Sequence, residues 1–287
     1  MAIFLTGCWT GMVITMIEAL GYEFFRSALL AGLLASLVCG IIGSYVVVKH
    51  MISVAGGISH AAFGGIGLGY FLGIDPLTGA FWFTMGLGVV IWELMERGRQ
   101  HIDTLIGAFW AGGMALGILC ISLTPGYTPD LFSYLFGNIL LVPPEHLILT
   151  GILAAIVVGT VFALYPALQA VAFDAEYATI SGLPTRWLNL LVLLLIAASV
   201  VVLIQVVGII LVIALLTLPA AIARNFIQTL KGMMFLSTLI GMILTTSGIF
   251  LSWMYDIPSG STIILLGVAL FLLVAGLSKV RAGKIIS

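Results

Sequence analysis

Ala55-Gly56-Gly57-Ile58-Ser59-His60-Ala61-Ala62-Phe63-Gly64-Gly65-Ile66-Gly67-Leu68-Gly69 is apolar, rich in small residues, and carries a single ionisable side chain, His60. Its length suits most of a membrane-spanning helix. Ionisable groups inside a bilayer are costly, and they tend to face a bundle interior or a watery path. On a helix, the positions three, four and seven from His60 are Gly56, Gly57, Phe63, Gly64 and Gly67. The imidazole therefore stands on a face almost bare of side chains. One reading has a neighbouring helix packed on that face, as in small-xxx-small seams, with His60 hydrogen-bonded across it. The other makes Gly56, Gly57, Gly64 and Gly67 the wall of a pathway and His60 a transit ligand. This stretch alone leaves both open.

The remainder of the chain sets the context. Of 287 residues, 62% are hydrophobic and only 7% charged, with a mean hydropathy of +1.29. Soluble chains carry about 25% charged residues, so a soluble enzyme or a nucleic-acid-binding protein is excluded. No hydrophilic stretch is long enough for a separate domain, so any nucleotide-hydrolysing or ligand-capturing domain belongs to another chain. Cys8, Cys39 and Cys120 lie far apart in apolar surroundings and read as small core residues, not as a metal or disulfide framework. The first twenty residues lack a basic leading region and do not read as a signal peptide.

Apolar runs predict nine spans, at about 25–48, 53–73, 77–95, 104–123, 147–170, 187–206, 209–226, 233–254 and 262–278. The run from Trp187 to Phe226 is long enough for two crossings, with a tight turn near Val207-Gly208. Residues 1–24 are expected as an interfacial or partly inserted helix, 25–280 as one transmembrane domain, and 281–287 as a cytoplasmic tail. With the segment before the first span outside, nine of the ten basic residues fall on the cytoplasmic side and only Arg26 falls outside. The opposite loops hold Asp75, Asp130, Glu145 and Asp256 and no Lys or Arg.

The inner loop Phe173–Arg186 predicts a short amphipathic helix. Asp174 starts it, Gly182 and Pro184 end it, and Phe173, Tyr177 and Ile180 share one face. Such a helix can dock a partner protein or lie on the lipid surface.

Six stretches in order make the chain resemble the permease subunits of zinc/manganese/iron ABC importers, the ABC-3 family. They are Gly40–Lys49 with Ile58–Ala61, Asp103–Gly107, Tyr134–Leu140, Phe173–Ala178, Val207–Ala221 and Asp256–Thr262. The resemblance runs from about residue 25 to 280. It implies an all-α fold like that of the vitamin B12 importer permease and a homodimer with the pathway at or near the subunit interface. It further implies two cytoplasmic ATPase subunits, an extracytoplasmic metal-binding protein, and residence in a prokaryotic cytoplasmic membrane. The chain itself is then not an enzyme, holds no permanent cofactor, and passes a divalent metal ion while ATP binds its partner. Phe173, Asp174, Glu176, Tyr177, Ala178 and Gly182 match the position of the family's coupling helix. Family members often carry a Gly-Asp pair five and four residues before the His; here those places hold Ala55 and Gly56. His60 carries over and the carboxylate does not.

By this span assignment no Asp or Glu sits deep in the membrane. His60, Gln205 and scattered hydroxyls are the polar groups there, with the thioethers of Met114 and Met242. The two methionines read as core, and Gln205 as a partner to a neighbouring helix. His50, His101 and His146 fall in or beside loops. One imidazole is too few ligands for tight zinc binding but suits a site that must release its ion. A permease for a cobalamin- or haem-like chelate is the alternative. A secondary transporter is less favoured, because it needs membrane-embedded carboxylates.

Overall fold

The computed structural model of the protein describes residues 18–98, 102–125, 131–137 and 139–283. The helix expected over the first twenty residues lies outside these as far as residue 17, as does the end of the tail. Among the described residues the structure is helical, without strands. The helices are α1 (Glu23–Val48), α2 (Ile52–Leu72), α3 (Pro76–Glu96), α4 (Ile102–Leu123), the short α5 (Leu131–Phe136) with a 3-10 turn at Ile139–Leu141, and α6 (Pro144–Phe173). They continue with α7 (Ala175–Ile180), α8 (Thr185–Val207), α9 (Ile209–Arg224), α10 (Leu230–Tyr255) and α11 (Ser259–Gly283).

Local chemistry fixes the turns between them. Gly73 adopts a left-handed conformation (φ 68°) to end α2. Asp75 then accepts a hydrogen bond from the Thr78 amide at 2.8 Å, with Pro76 in the first turn of α3. An acid at the N-cap and a proline behind it is a strong helix start. Asp256 likewise turns the chain with φ 52° after α10.

Eight of the helices are long and apolar enough to cross a membrane. The expected span over 209–226 is shorter: α9 has 16 residues, a rise of about 24 Å against a hydrocarbon core of about 30 Å. α9 begins at Ile209, as expected, after Gly208, where φ 80° and ψ 160° separate it from α8, and it ends at Arg224, before the expected end. A Cβ at Gly208 would lie 2.4 Å from the backbone nitrogen of Gly137. The end of α5 thus presses against the break itself.

α1, α2 and α8 are the enclosed helices, each more than 70% buried over its apolar window. Around them, α3, α4, α6, α10 and α11 expose large apolar side chains such as Trp82, Phe162, Phe235 and Leu265, as a lipid-facing ring must. Contacts between helix ends agree with the charge bias. Arg186 pairs with Glu93 at 2.9 Å, and Arg224 donates to the Val47 carbonyl at 3.1 Å, both joining inner ends. The hydroxyls of Tyr70 and Tyr134 meet at 2.9 Å at outer ends.

Candidate permeation site and coupling surface

His60 sits part-way along α2 and is half-buried. Its ring lies flat on the Trp110 indole of α4, with centroids 4.2 Å apart and planes 8° from parallel. The Nδ1 atom is buried and has no hydrogen-bond partner. The expected alternative, in which His60 hydrogen-bonds a neighbouring helix, is therefore not what holds it; aromatic stacking does. A neutral imidazole carries a lone pair on one ring nitrogen, the atom a first-row metal ion seeks.

The glycines around it divide into two kinds. At Gly57 a Cβ would meet the Ile106 side chain at 2.5 Å, at Gly64 the Gly113 carbonyl at 2.8 Å, and at Gly67 the Gly117 carbonyl at 2.4 Å. Gly64 and Gly67 form a backbone-to-backbone seam with α4, and Gly57 makes room for the Ile106 side chain of the same helix. Gly56 differs: it is buried, yet a Cβ built there meets nothing within 4 Å. Open space thus lies one helical turn before His60.

Among the described residues no three His, Cys, Asp or Glu side chains could hold one ion. Met242 is on α10, which packs on α1, α9 and α11. Gln205 does not pair with a neighbouring helix through its carbonyl, because its buried Oε1 has no partner.

The inner loop forms α7 where the sequence places it. Asp174 accepts from the Tyr177 amide at 2.9 Å and so caps the helix, and Gly182 (φ 81°) ends it. Ala178 is fully buried against the bundle, whereas Phe173, Tyr177 and Ile180 are exposed; Glu176 is exposed as well. Sequence reading missed what anchors the next helix. Arg186, in the first turn of α8, pairs with Glu93 and lies 4.7 Å over the Trp92 ring. Trp92 donates to the Arg186 carbonyl at 2.9 Å and stacks with Trp187. Beside them Lys49 donates to Asn189. Burial pulls the Lys49 ammonium below the ordinary lysine range, against the opposing effect of Glu96. The only sequence signal for this cluster was a pair of tryptophans, each next to a charge.

Eight helices of membrane-spanning length and apolarity are the architecture of a multi-pass membrane protein. Residues 21–278 match the ABC 3 transport family, and the chain belongs to that family. It is 44% identical to an uncharacterized membrane protein of Synechocystis sp., over 91% of this chain and 93% of the other. It is 32% identical to the manganese transport system membrane protein MntC of Halalkalibacterium halodurans, over 89% and 88%. Among solved structures it is similar to a chain of PsaBC from Streptococcus pneumoniae in complex with Fab. That match has 30% identity and a TM-score of 0.82, covering 91% of this chain and 95% of that one.

Proposed function

We propose that this chain is the membrane subunit of an ATP-driven importer that brings a divalent first-row transition metal ion into the cytoplasm. In this reading it works as a homodimer with two cytoplasmic ATPase subunits and receives its ion from an extracytoplasmic metal-binding protein. The supporting observation is His60: a stacked imidazole with a free buried nitrogen, beside open space at Gly56. One imidazole per chain holds an ion weakly, as a path must. Imidazole serves manganese, iron and zinc alike. The name of the Halalkalibacterium relative makes manganese the first ion to test.

Coupling to ATP hydrolysis is assigned to α7. Exposed Tyr177 and Ile180 of α7, with Phe173 at the end of α6, offer an ATPase subunit the aromatic anchors that dominate interface energies. Six residues beyond Ile180, Arg186 ties the start of α8 to Glu93 and Trp92 of α3, so a push on α7 reaches two helices at once.

Co-expression with a candidate ATPase chain tests the reading. The two should co-purify, and metal-loaded binding protein should stimulate ATP hydrolysis. Phe173→Ala and Tyr177→Ala should each weaken co-purification about tenfold, the effect of losing roughly 1.4 kcal/mol, with membrane insertion intact. Variants that bind the ATPase and transport normally would return α7 to the lipid surface.

A further inference from the structure

Away from His60, a cleft of about 510 Å³ opens between α1, α6 and α10, and its wall is almost entirely apolar. α6 and α10 run in opposite senses. Tyr165 and Pro166 therefore lie at the same end as Lys231, and Val158 lies toward Thr238. Among the described residues that line the cleft, Lys231 is the only charged one. It stands in the first turn of α10, at the cytoplasmic end by the distribution of basic residues. From Lys231 to Thr238 the helix rises about 10 Å, so the cleft follows the inner half of the bilayer.

Three observations say what fits. Phe162 and Phe235, 85% and 73% exposed, flank an apolar trough that faces lipid. Among the described residues Lys231 makes no ion pair. Nor does the lysine serve its own helix, since the amino-terminal end of a helix disfavours a cation. A cation at the headgroup level above an acyl-sized apolar groove complements an anionic lipid. We propose that this cleft binds an anionic phospholipid of the inner leaflet, with its phosphate at Lys231 and an acyl chain along α10 between Phe162 and Phe235.

The test uses the full-length protein in detergent, with phosphatidylglycerol or phosphatidylcholine of identical acyl chains added. Phosphatidylglycerol should raise Tm by on the order of 3 °C more than phosphatidylcholine does. Lys231→Gln should erase that difference and Lys231→Arg should keep it. Val158→Trp, which fills an exposed wall of the cleft, should remove the gain from both lipids. Comparing the two lipids on the unsubstituted protein needs no variant to fold. Equal shifts from both lipids, or an undiminished preference in Lys231→Gln, would overturn the assignment, leaving the lysine only its role in orientation. So would an equal shift from inorganic phosphate alone. A disulfide between two copies carrying Phe162→Cys would put a second chain in the cleft and overturn it too.

Discussion

Gly208→Ala should leave almost no folded protein. Two effects add at this position. With φ 80° and ψ 160°, the residue occupies a region of backbone space open essentially to glycine alone, and any other residue there costs about 1–3 kcal/mol. The new Cβ would also lie 2.4 Å from the backbone of Phe136 and Gly137, and backbone cannot swing aside as a side-chain tip can. The combined loss should exceed about 3 kcal/mol, a large share of the margin by which proteins are stable. Detergent-solubilised yield and Tm measure it. Gly151→Ala in α6, where a Cβ meets nothing within 4 Å, is the control and should gain up to about 1 kcal/mol of helix propensity. Equal yields of the two variants would show that α5 does not press on the break between α8 and α9.

His60→Ala should cut metal uptake by more than about tenfold while the protein still folds. The stack on Trp110 contributes only about 0.5–1.5 kcal/mol beyond buried area, so Tm should move little. A purely structural histidine predicts the reverse, with stability lost before transport. Uptake and Tm measured on one preparation separate the two. The companion variant adds a ligand. Gly56→Asp would place a carboxylate on the same helix face one turn before the imidazole, into space that the structure leaves open. In a low-dielectric setting that charge attracts a divalent cation strongly. More metal should then co-purify than with the unsubstituted protein, even though turnover need not rise, since a deeper well slows exit. A folded Gly56→Asp protein holding no extra metal would take His60 off the ion path.

Much of the fold was legible because apolar run length, proline-acid turns and the placement of basic residues are properties of the chain taken in order. The turn at Gly208 and the cap at Asp174 are local events, and both stand where sequence chemistry put them. What packs on the turn at Gly208 was not legible. The residues on both sides continue one apolar run without a change in composition, and the backbone against the break belongs to a segment some seventy residues earlier. Helical spacing likewise gathered the glycines on the His60 face but could not say what stood opposite. Only packing against α4 separates the closed positions from the open one at Gly56. The Trp110 stack and the Arg186–Trp92 cluster join residues fifty and ninety-four positions apart, and no local pattern announces either.

The seam between α2 and α4 also determines how freely this sequence can drift. Where a carbonyl lies closer than 3 Å to the place of a missing Cβ, as at Gly64 and Gly67, every mutation but a silent one separates two helices. Such positions are held still by geometry, and their invariance in any lineage would be a measure of backbone spacing with no bearing on the transported ion. Gly56 escapes that restriction. It is the place on this face where a lineage is free to try a carboxylate, because open space there admits the side chain.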